Sequence, residues 1–362
     1  MSAGTGLREY GVFALLALVW GSSYAAIDVG LRELPPLLFA GLRYDAATLF
    51  LFGVVLIAGE RVLPRERHEW TTVLIGGTFL IAINIGGLFV GQQYVPSSVA
   101  AILQSVSPVL TPVFAWVLLD ARLGVRTVVG SVLGLLGVAI IGGWEPHWGL
   151  PSLGVGVAGD AVATLPNDDG TMVGVAVLFG AAAAFALGSV LLERLPPTLP
   201  TTTSQAWMMA VGAIQLHLGS VVLGEPTGEL ELLRFETVGA VLYLGVVCGA
   251  VGYLLYYELL NSMGPVRASV VNYVTPVVAA VIGFLFLGEQ LGLAAVVGFV
   301  LVAAGFAGMQ WDSLVAFQAR IDDAYRRREY LGGDRGGESL REAYFGAPDP
   351  DEDAEAWEWG PQ

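Results

Sequence analysis

The chain has 362 residues, 55% of them hydrophobic and only 14% charged, yet its formal net charge is −15. That apolar content excludes a disordered chain, the acidic balance excludes a nucleic-acid binder with its basic face, and Cys248 as the one cysteine excludes a disulfide scaffold. The apolar residues also fall in runs of about twenty, each long enough to cross about 30 Å of hydrocarbon, which argues against a soluble globule.

Ten such runs are read between breaks: 10–30, 36–59, 70–91, 96–119, 124–143, 171–193, 202–224, 236–259, 264–288 and 291–310. They predict an all-α membrane protein with ten transmembrane helices. The first run is too long for a cleavable signal peptide, and no A-x-A-like site with a soluble mature chain follows it. Within it, Trp20 and Tyr24 stand one turn apart, lining a cavity or packing on each other. Arg43 and Asp45 sit in the outer third of the second run. Ionised residues there face a cavity or a partner. Arg43 is read as attracting an anionic group, or as a structural ion pair with Asp28 or Asp45. Asn84 is central in the third run, and Gln92, Gln93 and Tyr94 end it.

Pro108 lies at the middle of the fourth run and Pro276 at the middle of the ninth. Proline removes its own N–H, so the carbonyl four residues earlier loses its partner. Those carbonyls belong to Gln104 and Asn272, each with a side-chain amide beside it, and Tyr273 adjoins Asn272. In hydrocarbon such groups must find protein, water or ligand. Two readings stand: a broken-helix substrate site at the midplane, or a pair of kinks satisfied by Ser105, Ser107 and Thr275. Gly130, Gly134 and Gly137 in the fifth run fit small-xxx-small helix packing. Residues 144–170, rich in Gly and Pro and carrying Asp160, Asp168 and Asp169, read as an outer linker. His217, with Gln215, lies in the seventh run and could couple protons or pack through a hydrogen bond. Residues 311–330 read as an amphipathic helix, followed by an acidic disordered tail to 362.

All 17 basic residues are Arg. With the N-terminus in the cytoplasm, 14 of them fall inside and two, Arg32 and Arg234, outside, while Arg43 lies within a span. The positive-inside rule then puts both termini in the cytoplasm of a cell-membrane protein. Surplus carboxylates without Lys read as a salt-adapted surface, a property of the solvent rather than of the substrate.

Sliding the chain by 168 positions aligns 100–124 with 268–292 and 127–139 with 295–307, without a gap. Pro108 meets Pro276, and Leu123-Gly124 meets Leu291-Gly292. Five helices in each half put the second half into the membrane upside down, a pair of inverted repeats. The domains are then 10–143, the linker 144–170, 171–310 and the tail 311–362.

The segment WGSSYAAIDVGLRELPPLLFAGLRYDAATLFLF (20–52) resembles the opening of the EamA-type repeat of the drug/metabolite transporter superfamily, and 268–292, ending FLGEQLG, resembles its closing segment. The resemblance covers 10–310. It implies ten helices in two inverted repeats, a secondary carrier of small metabolites or xenobiotics, and a central cavity bordered by Trp20, Tyr24 and Arg43. Two departures stand out. Asp120-Ala121 replaces the acidic corner that Gly288-Glu289 keeps, and the second half has no Arg matching Arg43, its approximate counterpart being Trp207.

The expected function is therefore a secondary transporter, read as an exporter, moving a small metabolite or amphipathic solute (amino-acid-like or xenobiotic) by alternating access. Its expected substrate site is Gln104, Asn272, Trp20, Tyr24, Asn84, Arg43 and Tyr273. The alternatives are a channel or a solute sensor on the same fold. No HExxH, Ser–His constellation or phosphate loop points to an enzyme, a metal or a cofactor. The expected partners are a small-molecule substrate and membrane lipid, with a homodimer left open and no nucleic acid.

Overall fold

Apolar runs free of internal charge become helices because hydrocarbon leaves every backbone N–H and C=O to be satisfied within the segment. The computed structural model describes residues 3–119, 124–141, 169–226, 235–263, 268, 270–289 and 292–309, and every regular element among them is helical. Most of the outer linker, the Asp120-Ala121 corner and the tail 311–362 lie outside the described residues.

Joined end to end, the described segments make ten rods. These are α1 (Ala3–Leu31), α2 (Pro36–Ile57), α3 (Arg67–Gly91), α4 (Ser97–Leu119) and α5 (Val125–Ile141). They continue as α6 (Asp169–Glu193), α7 (Thr201–Val222), α8 (235–263), α9 (Val271–Leu287) and α10 (Leu293–Met309). Six of them, α1 to α4, α6 and α8, contain stretches long and apolar enough to cross a membrane; α5, α9 and α10 are shorter apolar helices. The 22-residue α7 is long enough but starts with three Thr and carries Gln205, Gln215 and His217. In the ninth run Val270 is a turn and the helix Val271–Ile282 follows it, while residues 264–267 and 269 lie outside the described residues.

The compact unit Glu9–Met309 has a repeated packing plan. A rod packs on the rod five places later three times: α2 on α7, α4 on α9 and α5 on α10. The α5–α10 contact is reciprocal. A Cβ at Gly137 would meet the Gly298 carbonyl at 2.5 Å, and one at Gly298 would meet the Gly137 carbonyl at 2.6 Å. Gly130 and Gly305 approach each other in the same way, carbonyl against Cα. The 168-residue offset turns Gly130 into Gly298 and Gly137 into Gly305, so each contact is the image of the other.

Three helices start behind a proline that has no capping side chain: α2 behind Pro35, α4 behind Pro96 and α7 behind Pro200. Their first N–H groups need acceptors. A glutamate from elsewhere in the chain reaches two of these starts with both oxygens. Glu225 accepts from the Leu37 and Leu38 N–H groups, both at 2.9 Å. Glu289 accepts from Ser97 N–H at 2.8 Å, Ser98 N–H at 3.2 Å and Ser98 Oγ at 2.7 Å. At α7, Glu60 accepts from Thr203 Oγ1 at 3.2 Å. Each Glu follows a glycine held at positive φ, Gly59 at 66°, Gly224 at 67° and Gly288 at 69°, where a Cβ would be strained. That turn aims the carboxylate across to the other half, where it also complements the helix dipole. Glu225→Ala and Glu289→Ala are each expected to cost about 1–2 kcal/mol, the range for a lost cap. Thermal unfolding in detergent checks this, and unchanged midpoints for both would remove the caps from the account.

Candidate functional site

Three stretches among the described residues run as wide turns, one of them Gly283–Leu287 in α9; the other two lie in α3 and α8. In α3 the backbone runs as a π-helix over Gly76–Ile83, and in α8 over Tyr243–Val251. These segments sit at nearly equivalent places in the two halves. Such bulges are rare and cluster at functional sites, because they displace the side chains that follow.

The first bulge ends at Asn84, which is buried. Its amide Nδ2 donates to the Ala181 carbonyl at 2.9 Å and to Gln104 Oε1 at 3.3 Å. The structure thus joins two of the expected site residues. Gln104 ends the first segment of α4, and the helix is interrupted at Ser105–Val106 before restarting at Ser107. Ser107 Oγ donates to the Gln104 carbonyl at 2.9 Å. The acceptor exposed by Pro108 is therefore satisfied locally, while the Gln104 amide NH2 has no partner among the described residues.

The second half differs. Pro276 lies inside the unbroken helix Val271–Ile282, so no interruption matches the one at Ser105–Val106. A membrane helix accommodates proline when neighbouring groups re-satisfy the backbone, and here Thr275 Oγ1 donates to the Val271 carbonyl at 2.8 Å. Asn272 is half-buried and makes no side-chain hydrogen bond among the described residues. Tyr273 stacks on Phe306 with ring centroids 4.3 Å apart, and its buried hydroxyl has no partner among the described residues. The segment of α4 bearing Gln104 packs on α9.

The second bulge receives α1. The Trp20 indole N–H donates to the Cys248 carbonyl at 3.2 Å, and Cys248 Sγ donates to the Val19 carbonyl at 3.3 Å. Trp20 also packs against Tyr253 and Tyr256, with centroids 5.9 and 5.4 Å away. Ser22 Oγ and Tyr243 OH share a 2.6 Å hydrogen bond. Gln92 Nε2 donates to the Tyr24 carbonyl at 2.6 Å, holding the end of α3 on α1.

Arg43 is buried on α2, and neither of its two expected counter-ions pairs with it. Asp28 is taken by Arg32 at 2.7 Å, and Asp45 Oδ2 lies 2.7 Å from His217 Nε2. The His217 ring rests over Gly41, where any Cβ would collide with it, so this pair fastens α7 to α2. Gly245 in the second bulge abuts the Arg43 carbonyl, and Gly77 in the first abuts the Met208 carbonyl, where a Cβ would come within 2.9 Å. Met208, one residue beyond Trp207, therefore holds the place equivalent to Arg43. Trp207 instead donates its indole N–H to the Val62 carbonyl at 2.7 Å.

Sequence reasoning missed Tyr44, Tyr243, Tyr253, Tyr256 and the Gly-Glu caps. The closely spaced tyrosines of YLLYYE (253–258) and the repeated Gly-Glu at 59–60 and 224–225 were the available signals. Among the described residues, no three His, Cys, Asp or Glu side chains converge as a metal site.

Apolar helices and a duplicated packing plan around polar side chains define a polytopic α-helical membrane transporter. The chain belongs to the EamA-like transporter family, whose model matches it twice, over residues 8–143 and 172–310. It is 27% identical to the uncharacterized transporter YvbV of Bacillus subtilis, covering 80% of this chain and 88% of that one. It is 30% identical to an uncharacterized transporter of Archaeoglobus fulgidus, covering 83% and 97%. A probable amino-acid metabolite efflux pump of Salmonella typhimurium is 24% identical, over 82% and 93% of the two chains. A solved crystal structure shares the fold at 20% identity with a TM-score of 0.54, covering 83% of this chain and 96% of that one.

Proposed function

We propose that the chain is a secondary exporter of a small polar or amphipathic metabolite, working by alternating access between two inverted five-helix repeats. In this reading all ten rods span the plasma membrane and both termini are cytoplasmic. The observation that carries it is the reciprocal contact of α5 with α10, in which Gly130–Gly305 and Gly298–Gly137 exchange places under the repeat offset. A pseudo-two-fold axis lets the same packing be made with the centre open to either side. Arginine placement supports the orientation, and the efflux relative supports the direction.

The substrate site of this reading lies between the two bulges. Asn84 and Gln104 border it from the first half, Asn272 and Tyr273 from the second, and Trp20, Tyr24 and Arg43 from α1 and α2. The interruption of α4 at Ser105–Val106, just before Pro108, and the proline inside α9 at Pro276 give the two helices the local compliance to move. The test is flux in proteoliposomes loaded with a mixture of the standard amino acids and related metabolites. Saturating, trans-stimulated exchange supports a carrier, whereas non-saturating conductance means a channel and binding without flux means a sensor.

His217, facing Asp45 across the α2–α7 contact, is the coupling residue of this mechanism. His217→Gln is expected to abolish proton-driven uptake while preserving exchange. A pH dependence of uptake identical to wild type would remove His217 from coupling.

A further inference from the structure

Arg43 is only 6% exposed, and it lies seven residues into α2, about 10 Å along the axis. A buried charge is tolerated when a counter-charge or a set of acceptors compensates it. Among the described residues one acceptor is supplied: an Arg43 terminal N–H donates to Tyr44 OH at 3.1 Å. The Nε–H is buried and has no partner among those residues. No carboxylate among the described residues pairs with the guanidinium, and both nearby aspartates are engaged elsewhere.

The surroundings favour an anion. The guanidinium carbon lies 4.6 Å from the Tyr44 ring centroid and 5.3 Å from that of Phe89, so two aromatic faces hold its plane. Among the described residues the cluster therefore holds a fixed cation with no anion of its own. Met208 occupies the equivalent place in the other half, so the charge is not part of the shared packing plan. A charge held only for structure would have its counter-ion built into the chain.

We infer that the solute moved by this transporter bears a carboxylate, which docks on the buried Arg43 guanidinium between Tyr44 and Phe89. The planar fork of Arg fits a carboxylate with two parallel hydrogen bonds. The aromatic rings of Tyr44 and Phe89 suit an apolar body attached to that group. This inference rests on the carrier reading and adds the chemical class of its cargo.

The experiment uses full-length protein in proteoliposomes and two probes: a deproteinised extract of small metabolites, and the same extract with its carboxylates converted to amides. Wild-type protein is expected to move solutes from the first extract and to lose at least about tenfold of that flux with the second. Arg43→Gln is expected to lose the carboxylate-bearing solutes, and Arg43→Lys to keep part of them because charge remains. Size-exclusion profiles control for folding, and the wild-type comparison needs no variant. Equal wild-type flux from both extracts overturns the carboxylate assignment and leaves the carrier intact. Wild-type flux of carboxylate solutes that a folded Arg43→Gln retains overturns the role of Arg43. Absence of wild-type flux from both extracts instead overturns the carrier reading itself.

Discussion

Gln104→Leu should abolish solute flux in proteoliposomes while the protein still inserts and runs as a folded species. The interruption of α4 does not depend on the Gln104 side chain, because Ser107 Oγ holds the Gln104 carbonyl and Ser105 Oγ donates to the Ile102 carbonyl at 2.6 Å. Asn84 loses its long 3.3 Å bond to Gln104 Oε1 but keeps the 2.9 Å bond to Ala181. What disappears is the amide NH2 that has no partner among the described residues. Asn272→Leu should be at least as clean, since Asn272 makes no side-chain hydrogen bond among the described residues. Each variant is expected to lower flux by at least about tenfold, the effect of removing a positioned polar contact of more than about 1.4 kcal/mol. Ser107→Ala should behave in the opposite way. It exposes a backbone carbonyl at a cost of about 1–3 kcal/mol in stability while sparing the amide. Wild-type flux in both Leu variants would place the site elsewhere.

The contrast between Ser107 and Gln104 shows where sequence reading stops. Spacing alone located Pro108 and identified the carbonyl it would free. It left open whether substrate or a neighbouring hydroxyl would take that carbonyl, because the answer depends on the Ser107 rotamer and on the turn at Ser105–Val106. The apolar runs were legible because hydrocarbon imposes length and composition together. The π-helices were not, since GGTFLIAI and YLGVVCGAV have no common pattern beyond small residues that let a helix approach. The place equivalent to Arg43 was read as Trp207 for a related reason. The offset between halves is 168 in α4 and α5, but Gly59 and Gly224 are 165 apart. Loops of unequal length absorb the difference, and only the packing of Gly77 on Met208 and of Gly245 on Arg43 fixes the register. Arg43 itself was legible as an anomaly. Its lack of a counter-ion was not, because Asp28 is spent on Arg32 and Asp45 on His217, and those choices are made in three dimensions.

Gly130→Val and Gly298→Val should destabilise the protein strongly and to the same extent. At both positions an added Cβ meets a carbonyl of the facing helix, which cannot rotate away as a side chain tip could. The helices must separate, and overpacking of this kind costs about 1–3 kcal/mol, with lost backbone contact along the seam adding to it. Gly53→Ala and Gly180→Ala are the controls. Both glycines lie in helices with open space where the Cβ would go, so alanine there should stabilise by about 0.4–1 kcal/mol through the unfolded state. The equality of the first two losses is the informative quantity. Gly130 and Gly298 are images under the repeat offset, and so are their partners Gly305 and Gly137, so a two-fold interface gives each the same neighbour. Thermal midpoints in detergent measure both. Equal drops mean that the axis runs through the α5–α10 contact, and the exchange of roles between halves that alternating access needs is then available to the packing. A large drop at one position beside a negligible one at its image would mean that the duplicated sequence does not pack as a symmetric pair, and the inverted-repeat mechanism would lose its structural basis.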